Sequence, residues 1–256
     1  MEENKLKLEF LKRVLTDTAG GPEYTSAFFQ TGKFPEEHII ENICQTQVDD
    51  KRLNGTDWPE TAHTMIGLKR MNNLHESLDF IRINSIEGDF IETGVWRGGA
   101  SIFAKLYFDL YQMNKKVFVA DSFKGLPFPE HPEDENDIHH TFDYLSVSLN
   151  QVKNNFKLYR CLDENVEFLE GWFHDTLPNN DKIGKLSILR MDGDMYKSTM
   201  DVFDSCYPKL VKGGIVIIDD FCISNCKRAV EDFRSSNNYS EEIHVVDQCG
   251  IFWIKS

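Results

Sequence analysis

The chain has 256 residues, and 28 lysines and arginines set against 42 aspartates and glutamates give it a formal charge of -14. That length suits one α/β domain with an added helical segment. The acidic balance excludes a nucleic-acid backbone or an anionic membrane as the main partner, and it suits a metal or a cationic ligand.

The first residues, MEENKLKLEF, carry charge where a signal peptide needs an apolar run, and no apolar stretch approaches the roughly 18 residues of a membrane span. Six cysteines show no CxxC spacing, so neither a zinc ribbon nor a disulfide framework is expected; Cys222 and Cys226, four apart, read as ordinary buried thiols. Together these features predict a reduced, soluble, cytoplasmic protein.

Residues 1–85 are expected to be a helical segment. Leu6, Phe10, Leu11, Val14 and Leu15 share one helical face, and a Gly-Gly-Pro turn at 20–22 closes that element. A polar connection through Trp58-Pro59 leads to a run from Thr64 and Met65 to Met71, Leu74, Leu78 and Ile81. Its three- and four-residue steps predict one amphipathic helix laid against a neighbour.

From Ile86 short apolar runs alternate with helical stretches, which is the texture of a parallel sheet with crossovers. Strands are expected at 88–93, 116–121, 166–171, 186–192 and 214–219, with closing strands at 241–246 and 251–254. Helices are expected at 100–112, 145–153, 199–210 and 226–235. The reading is a doubly wound α/β sheet of seven strands over residues 86–256. The segment 127–144, rich in acid, proline and histidine, is too long for a plain βα turn; it is either an active-site loop or a solvated one.

The strand ends carry the chemistry. The loop Glu92-Thr93-Gly94-Val95-Trp96-Arg97-Gly98-Gly99 follows the first strand and opens a helix, but its G-x-x-x-G-G spacing departs from the dinucleotide fingerprint. The second strand ends on Asp121-Ser122, where an acid is placed to accept hydrogen bonds from ribose hydroxyls. Glu92 would repel a pyrophosphate, and acidic surroundings attract an ammonium group, so S-adenosylmethionine is favoured over NAD. At the third strand end, Gly171-Trp172 either brings a ring near adenine or buries it in the core.

The fourth and fifth strands end on Asp192 and on Asp219-Asp220. Neighbouring strands lie about 4.8 Å apart, so these carboxylates converge and could hold an octahedral Mg²⁺. Asp194 competes with Asp192 for that role. A general base is then needed, and His139 or His140, with an ordinary pKa near 6.5, can supply it.

The motifs ETGVWRGG (92–99), ADSFKGLP (120–127), EGWFHDTLP (170–178), LRMDGDMY (189–196) and IIDDF (217–221), with AHTMIGLKRMNNL (62–74), resemble the macrocin-type sugar O-methyltransferases. The resemblance covers most of the chain and is weakest in the first 60 residues and in the acidic loop. It implies a class I methyltransferase fold, S-adenosylmethionine, Mg²⁺, a helical N-terminal lid over 1–85 and a homo-oligomer. Carried over residue by residue, it puts the metal ligands at Asp192, Asp219 and Asp220 and the base at His139. Cofactor contacts fall on Met65, Glu92, Thr93, Gly94, Trp96, Asp121, Ser122, Gly171, Trp172 and Asp192. The function expected is methylation of a sugar hydroxyl on a glycosylated natural product. A catechol-type methyltransferase is the alternative, and an NAD oxidoreductase the more distant one.

Overall fold

The computed structural model describes residues 2–20 and 22–256. Apolar runs that stop at acid become the central strands. These are β1 (Asp89–Thr93), β2 (Val117–Asp121), β3 (Val166–Glu170), β4 (Leu186–Met191) and β5 (Leu210–Ile218), all parallel. The last strand, β7 (Ile251–Ile254), adds antiparallel to β5, and the two-residue β6 (His244–Val245) pairs beyond it. The order β3-β2-β1-β4-β5-β7-β6 makes the expected seven-stranded sheet. The chain leaves β1 for β2 and β3 on one side and returns for β4 and β5 on the other. The reversal opens a crevice at the carboxyl ends of β1 and β4, where ligands bind in open α/β sheets.

Ten helices cover the sheet among the described residues. The first five are α1 (Glu2–Leu15), α2 (Pro22–Thr31), α3 (Glu37–Gln45), α4 (Asp50–Asn54) and α5 (Leu68–Ile83). Between and after the strands come α6 (Gly99–Leu110), α7 (Leu149–Leu158), α8 (Phe173–Thr176), α9 (Tyr196–Cys206) and α10 (Ser224–Ser236). On one face of the sheet, Phe90, Val117, Val119 and Ile188 share a continuous core with Phe10, Leu11, Ile43, Leu78 and Ile81. The opposite face buries Ile91, Phe118, Leu189 and Val216 against Phe203, Phe233 and Trp253. Because both faces are covered, the strands read as unbroken apolar runs.

Several boundaries differ from the sequence expectation. The amphipathic helix does not begin at Thr64. It starts at Leu68 after an extended Gly67, whose close approach to Gly55 leaves no room for a side chain. Met65 therefore sits on a loop. The helix expected from 145 starts at Leu149, where the Ser148 hydroxyl accepts the Gln151 N–H, and runs on to Leu158. The turn at 20–22 involves Gly21, which lies outside the described residues.

The cysteine expectation fails at one pair. Cys222 and Cys249, separated by 27 positions, form a disulfide. Cys222 lies four residues past the end of β5 and Cys249 two before β7, so the antiparallel pairing of these strands brings the two together. The Phe221 N–H donates to the Cys249 carbonyl at 3.1 Å in the same place. Cys226, read with Cys222 as an ordinary buried thiol, is indeed free and buried, whereas Cys222 is not.

Candidate active site

Backbone bonds continue past the strands and bring the loop starts to one edge. The Asp192 N–H donates to the Thr93 carbonyl, Asp219 N–H to Met191 and Gly171 N–H to Asp121, each at 2.9 Å. Gly94 is required at this edge: at φ +85° a Cβ would fall 1.6 Å from the Asp192 carbonyl oxygen. The result is a cavity of about 300 Å³. Its wall includes Met65, Glu92, Gly94, Trp96, Asp121, Ser122, His139, Gly171, Trp172, Asp192, Asp219 and Asp220. Of the predicted set, Thr93 alone is off this wall: its side chain is buried and its hydroxyl faces the Arg190 carbonyl.

On the β1–β2 side, Asp121 organises two loops. One carboxylate oxygen accepts the Val95 N–H at 2.8 Å and the other the Phe123 N–H at 2.7 Å. These bonds hold Trp96 and Phe123 in the left-handed region that side chains seldom adopt. Burial pushes the Asp121 carboxyl up, and the backbone donors pull it back. Asp121 is on the cavity wall. Ser122 is committed elsewhere, since its hydroxyl donates to the Gly125 carbonyl and accepts from Lys124 N–H. The first N–H of α6 is also committed: Gly99 donates to the His63 carbonyl at 2.9 Å, so the N-terminal segment caps this helix.

Glu92 behaves differently from the sequence argument. It is buried, its Oε1 lies 2.7 Å from Arg190 Nη1, and the Ser101 hydroxyl donates to Oε2. Burial pushes the Glu92 carboxyl up to about 7, against the pull of Arg190 and Ser101. Arg190 and Ser101 engage both of its oxygens, and a cluster of three aspartates lies beyond it at the ends of β4 and β5.

There, Asp192, Asp219 and Asp220 place carboxylate oxygens within 4.8 Å of one another. Three acids on two adjacent strand ends match a hard divalent cation that takes oxygen ligands. Their protonation equilibria report the crowding. Asp192 is raised by burial and then by Asp219, and Asp220 by burial and then by Asp194, Asp192 and Asp219.

Two arginines, neither expected from the motifs, buttress this cluster. Arg190, 1% exposed near the carboxyl end of β4, donates to Glu92, to Asp192 Oδ2 at 3.0 Å and to Asp219 Oδ1 at 2.6 Å. Burial works against its charge, but Asp219, Glu92 and Asp192 outweigh it and hold its pKa above the ordinary guanidinium value. Arg70 on α5 donates to Asp219 Oδ2, to Asp247 at 3.0 Å and to the Gly55 carbonyl at 3.1 Å. Both Asp219 oxygens are thus held by guanidinium, while no arginine or lysine bonds Asp220 among the described residues. A signal for Arg190 was present in the sequence, because a charge inside a buried strand needs partners.

The acidic segment is an ordered wall built of three short 3-10 turns. Asp134, fully buried, accepts the N–H groups of Tyr196 at 2.7 Å and Lys197 at 3.0 Å. It caps α9, which has no cap of its own. Asp137, also buried, accepts the His139 backbone N–H at 2.8 Å and lies 3.0 Å from His139 Nδ1. A carboxylate only accepts, so the neutral ring carries its proton on Nδ1 and keeps the Nε2 lone pair. His139 is on the cavity wall. His140 is not, and packs its ring against Phe128 at 5.3 Å.

Asp194 also reaches the cavity from a left-handed backbone position, its N–H donating to Asp220 Oδ2 at 3.3 Å. Burial and then Asp192 push its carboxyl up to about 7, with His139 opposing them. His139 and Asp194 both line the cavity that holds the three carboxylates.

Comparison with known proteins agrees with this geometry. A family model described as macrocin-O-methyltransferase (TylF) matches residues 4–255. The chain is 41% identical, over 97% of its length and 92% of the relative's, to an 8-demethyl-8-(2,3-dimethoxy-alpha-L-rhamnosyl)-tetracenomycin-C 4'-O-methyltransferase of Streptomyces olivaceus. It is 40% identical to the mycinamicin III 3''-O-methyltransferase of Micromonospora griseorubida, covering 98% of this chain and 97% of that one. The solved structure of the O-methyltransferase NovP superposes with a TM-score of 0.84 at 36% identity, covering 98% and 99% of the two chains.

Proposed function

The chain belongs to the macrocin-O-methyltransferase family and is an O-methyltransferase, and from that premise we propose that it moves a methyl group from S-adenosylmethionine to a sugar hydroxyl of a glycosylated natural product, with Mg²⁺ at the three aspartates. The observation that carries the reading is one cavity in which Asp121, the three-carboxylate cluster and His139 share a wall.

Asp121 offers a carboxylate on the cavity wall to ribose hydroxyls, and the loops at Gly94 and Gly171 allow a close backbone approach to the nucleoside. Asp192, Asp219 and Asp220 would hold the cation, which would supply positive charge that eases deprotonation of the substrate hydroxyl. Arg190 and Arg70 fix the cluster's geometry before any ligand arrives. His139 accepts the sugar hydroxyl proton at Nε2, and Asp137 keeps the ring in that tautomer and stabilises the imidazolium. S-adenosylmethionine would supply the methyl group, and the shared cavity wall would keep donor and sugar hydroxyl side by side and away from water.

In this reading residues 1–85 act as a lid, with Met65 as part of the wall. The enzyme works in the cytoplasm as a homo-oligomer; among the described residues no helix is long and apolar enough to cross a membrane.

Labelled S-adenosylmethionine offered with panels of deoxysugar glycosides and catechols tests the proposal. Label is expected on the glycosides, and His139→Ala should cut the rate by roughly 10²–10⁴. Label on catechols alone, indifferent to His139→Ala, would favour the aromatic-diol alternative.

A further inference from the structure

Asp247 lies outside every motif that carried the family resemblance, on the turn between β6 and β7, and it is off the cavity wall. Its side chain is nevertheless 1% exposed. One carboxylate oxygen accepts the N–H groups of Cys249 at 2.9 Å and Gly250 at 2.7 Å, which closes the turn. The other accepts from Arg70 Nε at 3.0 Å. The turn also packs on the arginine itself, since a Cβ on Gly250 would fall 2.9 Å from Arg70 Cδ. The Cys222–Cys249 disulfide and the bond from Phe221 N–H to the Cys249 carbonyl anchor this turn to the segment that follows Asp220.

Arg70 joins three segments through its three nitrogens. Nε meets Asp247, Nη1 donates to Asp219 Oδ2, and Nη2 donates to the Gly55 carbonyl at 3.1 Å. A guanidinium bonded to one carboxylate of the three-aspartate cluster orients that carboxylate, yet its positive charge opposes a cation beside it. Asp247 alters this balance in two ways. It sets a negative charge against that of Arg70, and its bond to Nε fixes the plane from which Nη1 reaches Asp219. Burial works against the charge on Arg70, and Asp219, Asp247, Asp220 and Asp192 outweigh it, so the guanidinium stays ionised.

We infer that Asp247 is a positioning residue for the cation site and acts through Arg70: it holds the guanidinium that orients Asp219 and offsets the charge by which that guanidinium opposes a cation. The inference rests on the reading of Asp192, Asp219 and Asp220 as ligands of a divalent cation, and it carries that site outward to the β6–β7 turn.

Mn²⁺ binding followed by electron paramagnetic resonance tests it, with S-adenosylhomocysteine affinity measured on the same protein. Asp247→Asn keeps an amide oxygen for the N–H groups of the turn and removes the charge facing Arg70. Mn²⁺ affinity should fall about tenfold, as for other partners that orient a metal ligand. The Mg²⁺ concentration that half-saturates methyl transfer should rise in step, while turnover at saturating Mg²⁺ and affinity for S-adenosylhomocysteine hold. In an Arg70→Gln background the same substitution should change Mn²⁺ affinity by less than about twofold, because the residue through which it acts is gone. Unchanged Mn²⁺ affinity in Asp247→Asn, or a loss that persists undiminished in the Arg70→Gln background, would overturn the inference and leave the cation site standing. A parallel loss of S-adenosylhomocysteine binding would assign Asp247 to the fold and overturn the inference as well. Wild-type protein that binds no Mn²⁺ would instead overturn the cation reading, and the inference with it.

Discussion

The floor and the rim of the cavity are built on opposite principles. At the floor, Glu92, Asp192 and Asp219 are locked by Arg190, and Asp219 again by Arg70, so that ionised groups hold one another out of water. At the rim, Trp58 and Phe142 hold one another by ring contacts and stay open to solvent. The floor crowds like charges around its guanidinium partners, whereas the rim carries no charge in its ring contacts. Substitutions at the floor should therefore change stability and activity separately, according to whether the acid has a guanidinium partner.

Arg190→Met breaks the floor most severely. It leaves Glu92 and Asp192 without their guanidinium partner and Asp219 with Arg70 alone, and removing one member of a buried ion pair costs about 3–5 kcal/mol. Thermal unfolding should show a midpoint lower by roughly 10 °C. Asp220→Asn should do the reverse. Asp220 has no guanidinium partner and is raised by three neighbouring acids, so amidation relieves repulsion. The expected result is an unchanged or higher midpoint with methyl transfer down by about 10²–10⁴, the several kcal/mol that a catalytic cation supplies. Asp219→Asn is the less informative choice, because it also unpairs both arginines.

The disulfide lies between the two regions, tying the loop after Asp220 to Cys249 on the cavity wall. On the chain-entropy account its 27-residue separation is worth roughly 3 to 4 kcal/mol. Dithiothreitol should lower the wild-type midpoint to that of Cys222→Ser and leave the variant unmoved.

The smallest effect concerns the attachment of the N-terminal helices. Burial, and then Arg97 for His63 or Lys12 for His75, lowers each histidine to about 4. Both folded pKa values lie below the unfolded value of about 6.5, so the unfolded chain binds protons first as pH falls. Stability from these groups is complete above about pH 6.5 and is lost progressively down to about pH 4. His75→Phe should flatten that part of the midpoint-against-pH curve, and a curve that keeps its slope would remove His75 from the account.

Much of this was legible in the chain. Strands buried on both faces wrote themselves as apolar runs ending on acid, and the carboxylates at 192, 219 and 220 do converge. Four features were hidden for distinct reasons. The charge on Glu92 looked free because Arg190 is a neighbour only through strand pairing, 98 positions away. The pairing of Cys222 with Cys249 depends on an antiparallel strand that chain spacing does not reveal. The acidic segment stayed open between an active-site loop and a solvated one because Asp134 and Asp137 carry charge, yet each is buried and spends its oxygens on N–H groups. Thr64 to Gly67 kept the helical spacing without the helix, since contact with Gly55 decided the backbone there.

The central claim is that the floor carboxylates serve a cation in methyl transfer. Protein treated with EDTA and dialysed, then titrated with MgCl₂ while methyl transfer to a glycoside and S-adenosylhomocysteine binding are both followed, tests it directly. The account predicts that turnover vanishes on chelation and returns with Mg²⁺ in the wild type but not in Asp220→Asn, with S-adenosylhomocysteine still bound throughout. Full turnover by the chelated protein would contradict it and leave the three aspartates a structural role.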